Sequence, residues 1–288
     1  DNYNLYLEKI SKSLFFRFFL IINPLFQLNF TNKSKYNAAS HYDLSDELYD
    51  LFLDNTRQYS CAYFEDPNDS LKQAQINKMN RLSDKLLLNS KDNVLDIGCG
   101  WGSLSLHMSD KYKCKIKGIS LSQEQIKYCN YQKQKHNDTD LLEYSLKDYR
   151  NENTKYTKIV SVGMFEHVGK PFFNAYFKKI YDLLEEDGIA VIHTIGNIRT
   201  PKITAAFIRK YIFPGGYIPT LSEIMPAIEK SGLIISDIEV LRLHYAKTLS
   251  HWYKNFKKAE DKVLKIYDKK FIRMWEAYLN LSEHSFVK

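Results

Sequence analysis

A chain of 288 residues with 44% hydrophobic and 26% charged side chains, and only 11 Gly and 7 Pro, is neither disordered nor collagen-like; it suits one α/β domain with appendages. The net charge of +7 is uneven: residues 1–36 carry +3, residues 240–288 carry +6 and the body between them −2. That distribution argues against the positive channel of a nucleic-acid enzyme and leaves basic ends suited to an anionic surface or to plain solvation.

Residues 1–36 read as an apolar, basic extension. Their most apolar stretch, Leu14 to Leu28, is broken by Arg17, Asn23 and Pro24 and is too short to cross a bilayer. No small-residue cleavage site follows it, and the opening at Asp1 suggests a trimmed native start. The run LFFRFFLIINPLF suits an interfacial or substrate-covering helix and a core-packed helix equally. Residues 37–92 read as a helical cover, with amphipathic helices over 41–55 and 68–90; in the second, Leu71, Ile76, Met79, Leu82 and Leu86 fall near helical spacing.

From residue 93 to 196, short apolar runs alternate with helical stretches, the pattern of a parallel sheet with crossover helices. Strands are expected at Asn93–Ile97, Lys115–Ser120, Leu141–Ser145, Lys158–Gly163 and Ile189–Ile195, with a sixth at Ile235–Leu243. The fold class is therefore α/β, a doubly wound, mostly parallel sheet. Between the fifth and sixth strands, residues 197–232 form an insertion with the turn-rich FPGGYIP, placed to lid a ligand crevice. Residues 233–288 hold the last strand and then basic helices in which Trp252, Tyr253, Phe256, Phe271, Trp275 and Tyr278 are interleaved. The four cysteines, Cys61, Cys99, Cys114 and Cys129, form neither a C-x-x-C pair nor a zinc ligand set; no metal is expected, and reduced thiols of a cytoplasmic enzyme are the natural reading.

The strongest local signal is VLDIGCGWG, residues 94–102, where an apolar strand runs into Asp96 and then Gly98, Gly100 and Gly102. The glycines let the backbone turn sharply and approach a ligand. The spacing lacks the G-x-G-x-x-G phosphate turn, and an acid at the strand end repels a pyrophosphate but attracts an ammonium, such as that of S-adenosylmethionine.

D-x-G-C-G-x-G resembles the first motif of class I S-adenosylmethionine-dependent methyltransferases. HYDLSDELYDLFLD (41–54), QYSCAYF (58–64), GISLSQEQ (118–125), GMFEHVG (163–169), HTIG (193–196) and YIFPGGYIP (211–219) resemble, in the same order, the cyclopropane fatty acid synthases and mycolic acid methyltransferases. The resemblance covers roughly residues 37–288. It implies that Gly98, Gly100 and the Asp96 carboxylate surround the methionine end of S-adenosylmethionine, that Tyr59 and Ser60 close over it, and that Leu121 and Gln125 lie at the ribose and adenine. Where most class I enzymes carry an acid after the second strand, this chain has Ser120, which leaves the ribose to Gln125. Lys147 and Asp148 stand where the adenine edge is read, or are a solvated loop.

Adding a methylene to a cis alkene requires an apolar tunnel, an anion near developing positive charge, and a base. The resemblance implies that Cys61, Glu166, His193, Ile195 and Tyr245 hold a bicarbonate ion acting as that base. Cys61 is then an ion-site residue and not a nucleophile; His167, next to Glu166 and pointing the other way in a strand, is structural or supports the site from behind. The implied substrate is an unsaturated acyl chain of a phospholipid at an anionic membrane surface, giving a cyclopropane fatty acid. A methyl-branched product or a small methylated amine is the alternative. The implied enzyme is cytoplasmic and peripherally membrane-associated; whether it forms a homodimer stays open. The family continues into a further strand after the C-terminal helices, whereas this chain stops at HSFVK, so that edge strand is expected to be missing.

Overall fold

The computed structural model describes residues 46–135, 139–197 and 204–287; the expectations for residues 1–36, 37–45 and 198–203 lie outside the described residues. Five parallel strands form the sheet, β1 (Asn93–Ile97), β2 (Lys115–Ser120), β3 (Leu142–Leu146), β4 (Tyr156–Val162) and β5 (Leu184–His193), in the order β3-β2-β1-β4-β5. The chain steps outward from β1 to β3, then returns to the other side of β1 with β4. The strand order thus reverses at β1/β4, and the carboxyl ends of those strands open a crevice between diverging connections. Asp96 stands there, in register with Gly118 on one side and Val160 on the other.

The central strands are continuous apolar runs because helices bury both faces. On one face α2 (Leu71–Lys85), α3 (Ser103–Tyr112) and α4 (Gln123–Lys133) contribute Met79, Leu82, Leu104, Met108, Ile126 and Cys129 against Val94, Ile116 and Val160. On the other, Phe173, Tyr176, Phe177 and Ile180 of α5 (Phe173–Leu183), with Ile224 and Ala227 of α6 (Leu221–Ser231), pack on Leu95, Ile97 and Ile159. Helix α2 begins at Ser70, whose side chain accepts from the Gln73 N–H at 3.2 Å.

A third cluster joins α1 (Asp46–Phe52), α7 (Arg242–Lys258) and α8 (Lys269–Val287) with Phe64, Trp101 and Ile212, forming the helical cover. The C-terminal segment is helical as expected, but its aromatics face inward: Trp252 and Phe256 are 0% exposed and Trp275 is 1% exposed. Part of the insertion also packs here, since Phe207, Ile208 and Phe213 lean on this cluster; Tyr217 and Ile224 pack instead against the α5 side.

The sixth strand does not form. Residues 233–241 make no ladder, and helix α7 already starts at Arg242. The apolar run favours a strand, but the acidic residues within it are taken by ion pairs: Glu239 accepts two bonds from Arg81 at 2.8 Å, and Lys85 pairs with Asp237 and Glu239. These bonds tie the segment to α2, and Ile234, Ile238 and Val240 are exposed. No described helix is long and apolar enough to cross a membrane.

Candidate functional site

The turn after β1 is built from three glycines with positive φ, +79° at Gly98, +55° at Gly100 and +79° at Gly102. They differ in what surrounds them. A Cβ at Gly98 would lie 2.9 Å from the Met164 side chain and one at Gly102 2.8 Å from Cys129 Sγ, so these two permit close packing. A Cβ at Gly100 meets nothing within 4 Å, which makes this the open side of the turn.

Asp96 is 2% exposed and accepts from Ser105 Oγ at 2.6 Å; burial pushes its carboxyl up to about 6, against the pull of the Ser105 bond and of Lys78. The segment carrying Tyr59 and Ser60 is tied to α2, because the Gln75 amide donates to the Ser60 carbonyl at 3.1 Å. Tyr59 packs on Trp252 and Phe213, and its hydroxyl lies 2.8 Å from that of Tyr278.

At the end of β2, Ser120 Oγ donates to Gln125 Oε1 at 2.8 Å, while the buried Gln125 Nε2 has no hydrogen-bond partner. A buried amide donor left empty is costly unless a ligand fills it. Leu121, half-buried, lies between the two. Lys147 and Asp148 are engaged elsewhere: Lys147 pairs with Glu152 at 3.1 Å, and the Asp148 carboxylate takes Arg150 Nε at 2.9 Å and Nη2 at 2.6 Å.

Beyond β4, Glu166 sits in a short turn, with its Oε1 accepting from the Ile195 N–H at 2.7 Å and its carbonyl accepting from the Tyr217 N–H at 2.9 Å. Its Oε2 is buried without a partner, and burial raises its pKa. His193 ends β5, pinned where its carbonyl accepts from Gly163 at 2.9 Å; its Nδ1 is likewise buried and unpartnered, and burial lowers the imidazole to about 4. Cys61 is 3% exposed, and burial pushes its thiol up to about 12. Tyr245 sits on α7 and not after a strand. Burial, and then Tyr278, Cys61 and Glu166 nearby, keep its phenol protonated well above the ordinary range. Thr248, one turn further on, accepts from the Ala62 N–H at 3.0 Å and so docks the Cys61 segment on the same helix. The structure therefore brings Glu166, Ile195, Cys61 and Tyr245 to one apolar region, with His193 at the adjoining strand end.

His167 is half-buried with its ring against Phe213, and desolvation lowers it to about 4. Sequence reasoning missed Lys78, Gln58, Met164 and Tyr278. For Lys78 a signal existed: it lies four residues from both Ala74 and Leu82, on the buried stripe of α2, and is 1% exposed.

The family model described as mycolic acid cyclopropane synthetase matches residues 30–288, starting ahead of the boundary expected at residue 37. A probable fatty acid methyltransferase of Pseudomonas putida is 39% identical over 255 residues, covering 86% of this chain and 65% of its own length. The cyclopropane-fatty-acyl-phospholipid synthase of Escherichia coli strain K12 is 37% identical over 262 residues, covering 91% of this chain and 67% of its own. The chain thus spans about two thirds of the length of these relatives. A crystal structure of the mycolic acid cyclopropane synthase CmaA1 complexed with S-adenosylhomocysteine and CTAB is similar with a TM-score of 0.82 at 29% identity, over 88% of this chain and 93% of that chain.

Proposed function

The chain belongs to the mycolic acid cyclopropane synthetase family, and from that membership we propose that it transfers a methylene group from S-adenosylmethionine to the cis double bond of an unsaturated acyl chain, in a phospholipid, giving a cyclopropane fatty acid. One observation carries the reading. Glu166 Oε2 and His193 Nδ1 are both buried, both unpartnered and held at neighbouring strand ends beside the glycine turn. That pair of vacant hydrogen-bonding atoms fits a small oxyanion such as bicarbonate, as the vacant Gln125 Nε2 fits a ribose or adenine.

S-adenosylmethionine supplies the electrophilic methyl, and bicarbonate the proton acceptor. The alkene π pair forms a bond to that methyl as the carbon–sulfur bond breaks and its electrons stay on sulfur. Loss of a proton from the transferred methyl then frees its C–H pair to close the ring. In this reading Glu166 accepts a hydrogen bond from the ion. The Cys61 thiol and the Tyr245 phenol, both held protonated by burial, donate to it, and neutral His193 orients it through Nδ1. Asp96 receives the ammonium of the cofactor, Gly98 and Gly100 admit its methionine chain, and Tyr59 with Ser60 covers it. Leu121 and Gln125 line the nucleoside. Lys147 and Asp148 contribute there through their backbone or by exchanging the ion pairs they make now. Aromatic walls from Tyr59, Phe213, Trp252 and Tyr278 exclude water from the developing cation and accommodate an acyl chain. The alkyl tail of CTAB in the CmaA1 complex supports a site of that kind.

The test is lipid mass spectrometry and proton NMR on cells expressing the chain and fed methionine with a trideuterated methyl. A cyclopropane retains two deuterons and gives upfield ring resonances from the unlabelled control, whereas a methyl branch retains all three. Unsaturated chains left unlabelled would overturn the acyl-chain reading; label without ring resonances would overturn cyclopropanation alone.

A further inference from the structure

Lys78 is a buried cation that nothing in the preceding mechanism uses. It projects from α2 with 1% of its surface exposed, and its Nζ donates to Ser60 Oγ at 2.8 Å and to Gln58 Oε1. Both acceptors are neutral, and no carboxylate lies within ion-pair distance of it among the described residues. An ammonium has three donors, so one N–H remains unfilled. Burying an unpaired ammonium costs several kcal/mol, which a merely structural tie between a helix and a loop does not require; a Gln or Met would serve.

The two acceptors are what make the position informative. Gln58 reaches on to Ser103 Oγ at 2.7 Å, at the start of the helix that follows the glycine turn, and Ser60 belongs to the segment proposed to cover the cofactor. Because Ser60 Oγ accepts from Lys78, its own proton is free to be donated away from α2. The acid Asp96, on the strand that leads into the turn, lies within electrostatic reach of Lys78. A cation-backed hydroxyl and a carboxylate in the neighbourhood of one glycine turn match the two charged ends of an amino acid.

We propose that Lys78 is a positioning residue for the carboxylate of the cofactor's methionine end, acting by holding the Ser60 hydroxyl as a hydrogen-bond donor and by supplying the positive charge that a buried carboxylate needs. This rests on the S-adenosylmethionine reading above and extends it to the polarity with which the amino-acid end is bound.

Two probes separate the parts: deaminated S-adenosylhomocysteine, which keeps the carboxylate and lacks the amine, and methylthioadenosine, which lacks both. Calorimetry on Lys78→Met is expected to show a loss of about tenfold or more for the carboxylate probe, the size of a charge-assisted hydrogen bond. Methylthioadenosine affinity stays within about twofold, the margin of an uninvolved surface contact. Equal losses on both probes, or none on either, would overturn the proposal while leaving the cofactor reading intact. Failure of the unmodified chain to bind S-adenosylhomocysteine at all would overturn the cofactor reading instead.

Should Lys78→Met not fold, the unmodified protein carries the same test. Burial lowers Lys78 to about 8, opposed by Asp54, Cys61 and Asp96, and the other group it faces is His193 on β5. Cys61 at about 12, Asp96 at about 6 and His193 at about 4 change little near pH 8. Raising pH through 8 discharges the ammonium, so the preference for the carboxylate probe over methylthioadenosine falls. A preference unchanged between pH 7 and 9 would overturn the assignment.

Discussion

At the scale of single residues, the glycine turn and the Glu166 turn make separable demands. Gly100 sits at φ +55° with open space where a Cβ would be, so a Val there is strained and fills the approach to the turn. Gly100→Val is expected to abolish S-adenosylhomocysteine binding; calorimetry on the folded variant checks it, and unchanged affinity would remove Gly100 from the cofactor site. Glu166 makes a different contribution, because one of its oxygens is fixed by the Ile195 N–H and the other is buried without a partner. Glu166→Gln keeps the bond to the Ile195 N–H through its amide oxygen but loses the anion. Turnover should drop on the order of 10²–10⁴-fold with S-adenosylhomocysteine affinity nearly intact. A steady-state assay returning most of the unmodified rate would show that the carboxylate is dispensable.

At the scale of elements, the interior of the cover is aromatic packing, with ion pairs such as Lys257–Glu276 at its surface. Trp252 of α7 is 0% exposed and meets Phe52 of α1 at 6.1 Å between ring centroids, Tyr59 at 5.1 Å and Tyr245 at 6.1 Å, so one side chain joins two helices and the loop proposed to cover the cofactor. Trp252→Ala should cost about 3–5 kcal/mol in urea unfolding. It should also weaken S-adenosylhomocysteine binding through Tyr59, because the loop loses the surface it rests on. The Arg81–Glu239 pair that draws residues 233–241 onto α2 is half-exposed and contributes far less, about 1 kcal/mol at most. The apolar run over Ile235–Leu243 was a fair strand signal, but a strand needs a neighbouring strand to bond to and residues 233–241 pair with none; the contacts to Arg81 and Lys85 hold the segment without being the reason the strand is absent.

At the scale of the whole molecule, charge and aromatic content separate onto different surfaces. The C-terminal aromatics are core, so any contact with a membrane there falls to the lysines. Lys254, Lys258, Lys262 and Lys265 are exposed, whereas Lys257 is occupied by Glu260 and Glu276, each at 2.5 Å. If the four face an anionic surface, each contributes about 1 kcal/mol, screened by salt. Replacing the four by Gln should then reduce sedimentation with anionic vesicles and leave neutral vesicles unaffected, with added salt reproducing the effect in the unmodified protein. Equal sedimentation at low salt would make this face a solvated one.

The sequence by itself determined the five parallel strands and the crevice at their ends. Apolar runs of strand length and the glycines after Asp96 are local patterns, and local sterics and hydrophobic periodicity suffice to read β1 to β5 and the crevice at their ends, whereas the motifs around Tyr59, Glu166 and His193 speak only through their resemblance to a family. Tertiary structure alone decided three things that depend on residues distant in the chain. It placed Tyr245 on a helix beside Cys61, turned the aromatics of α7 and α8 inward, and buried the charged Lys78 on a stripe whose neighbours are apolar. Each of these depends on which partner a side chain finds across the fold: helical spacing sets Lys78 on the buried stripe of α2, but only the polar oxygens of Gln58 and Ser60, about twenty residues away in the chain, make its burial tolerable.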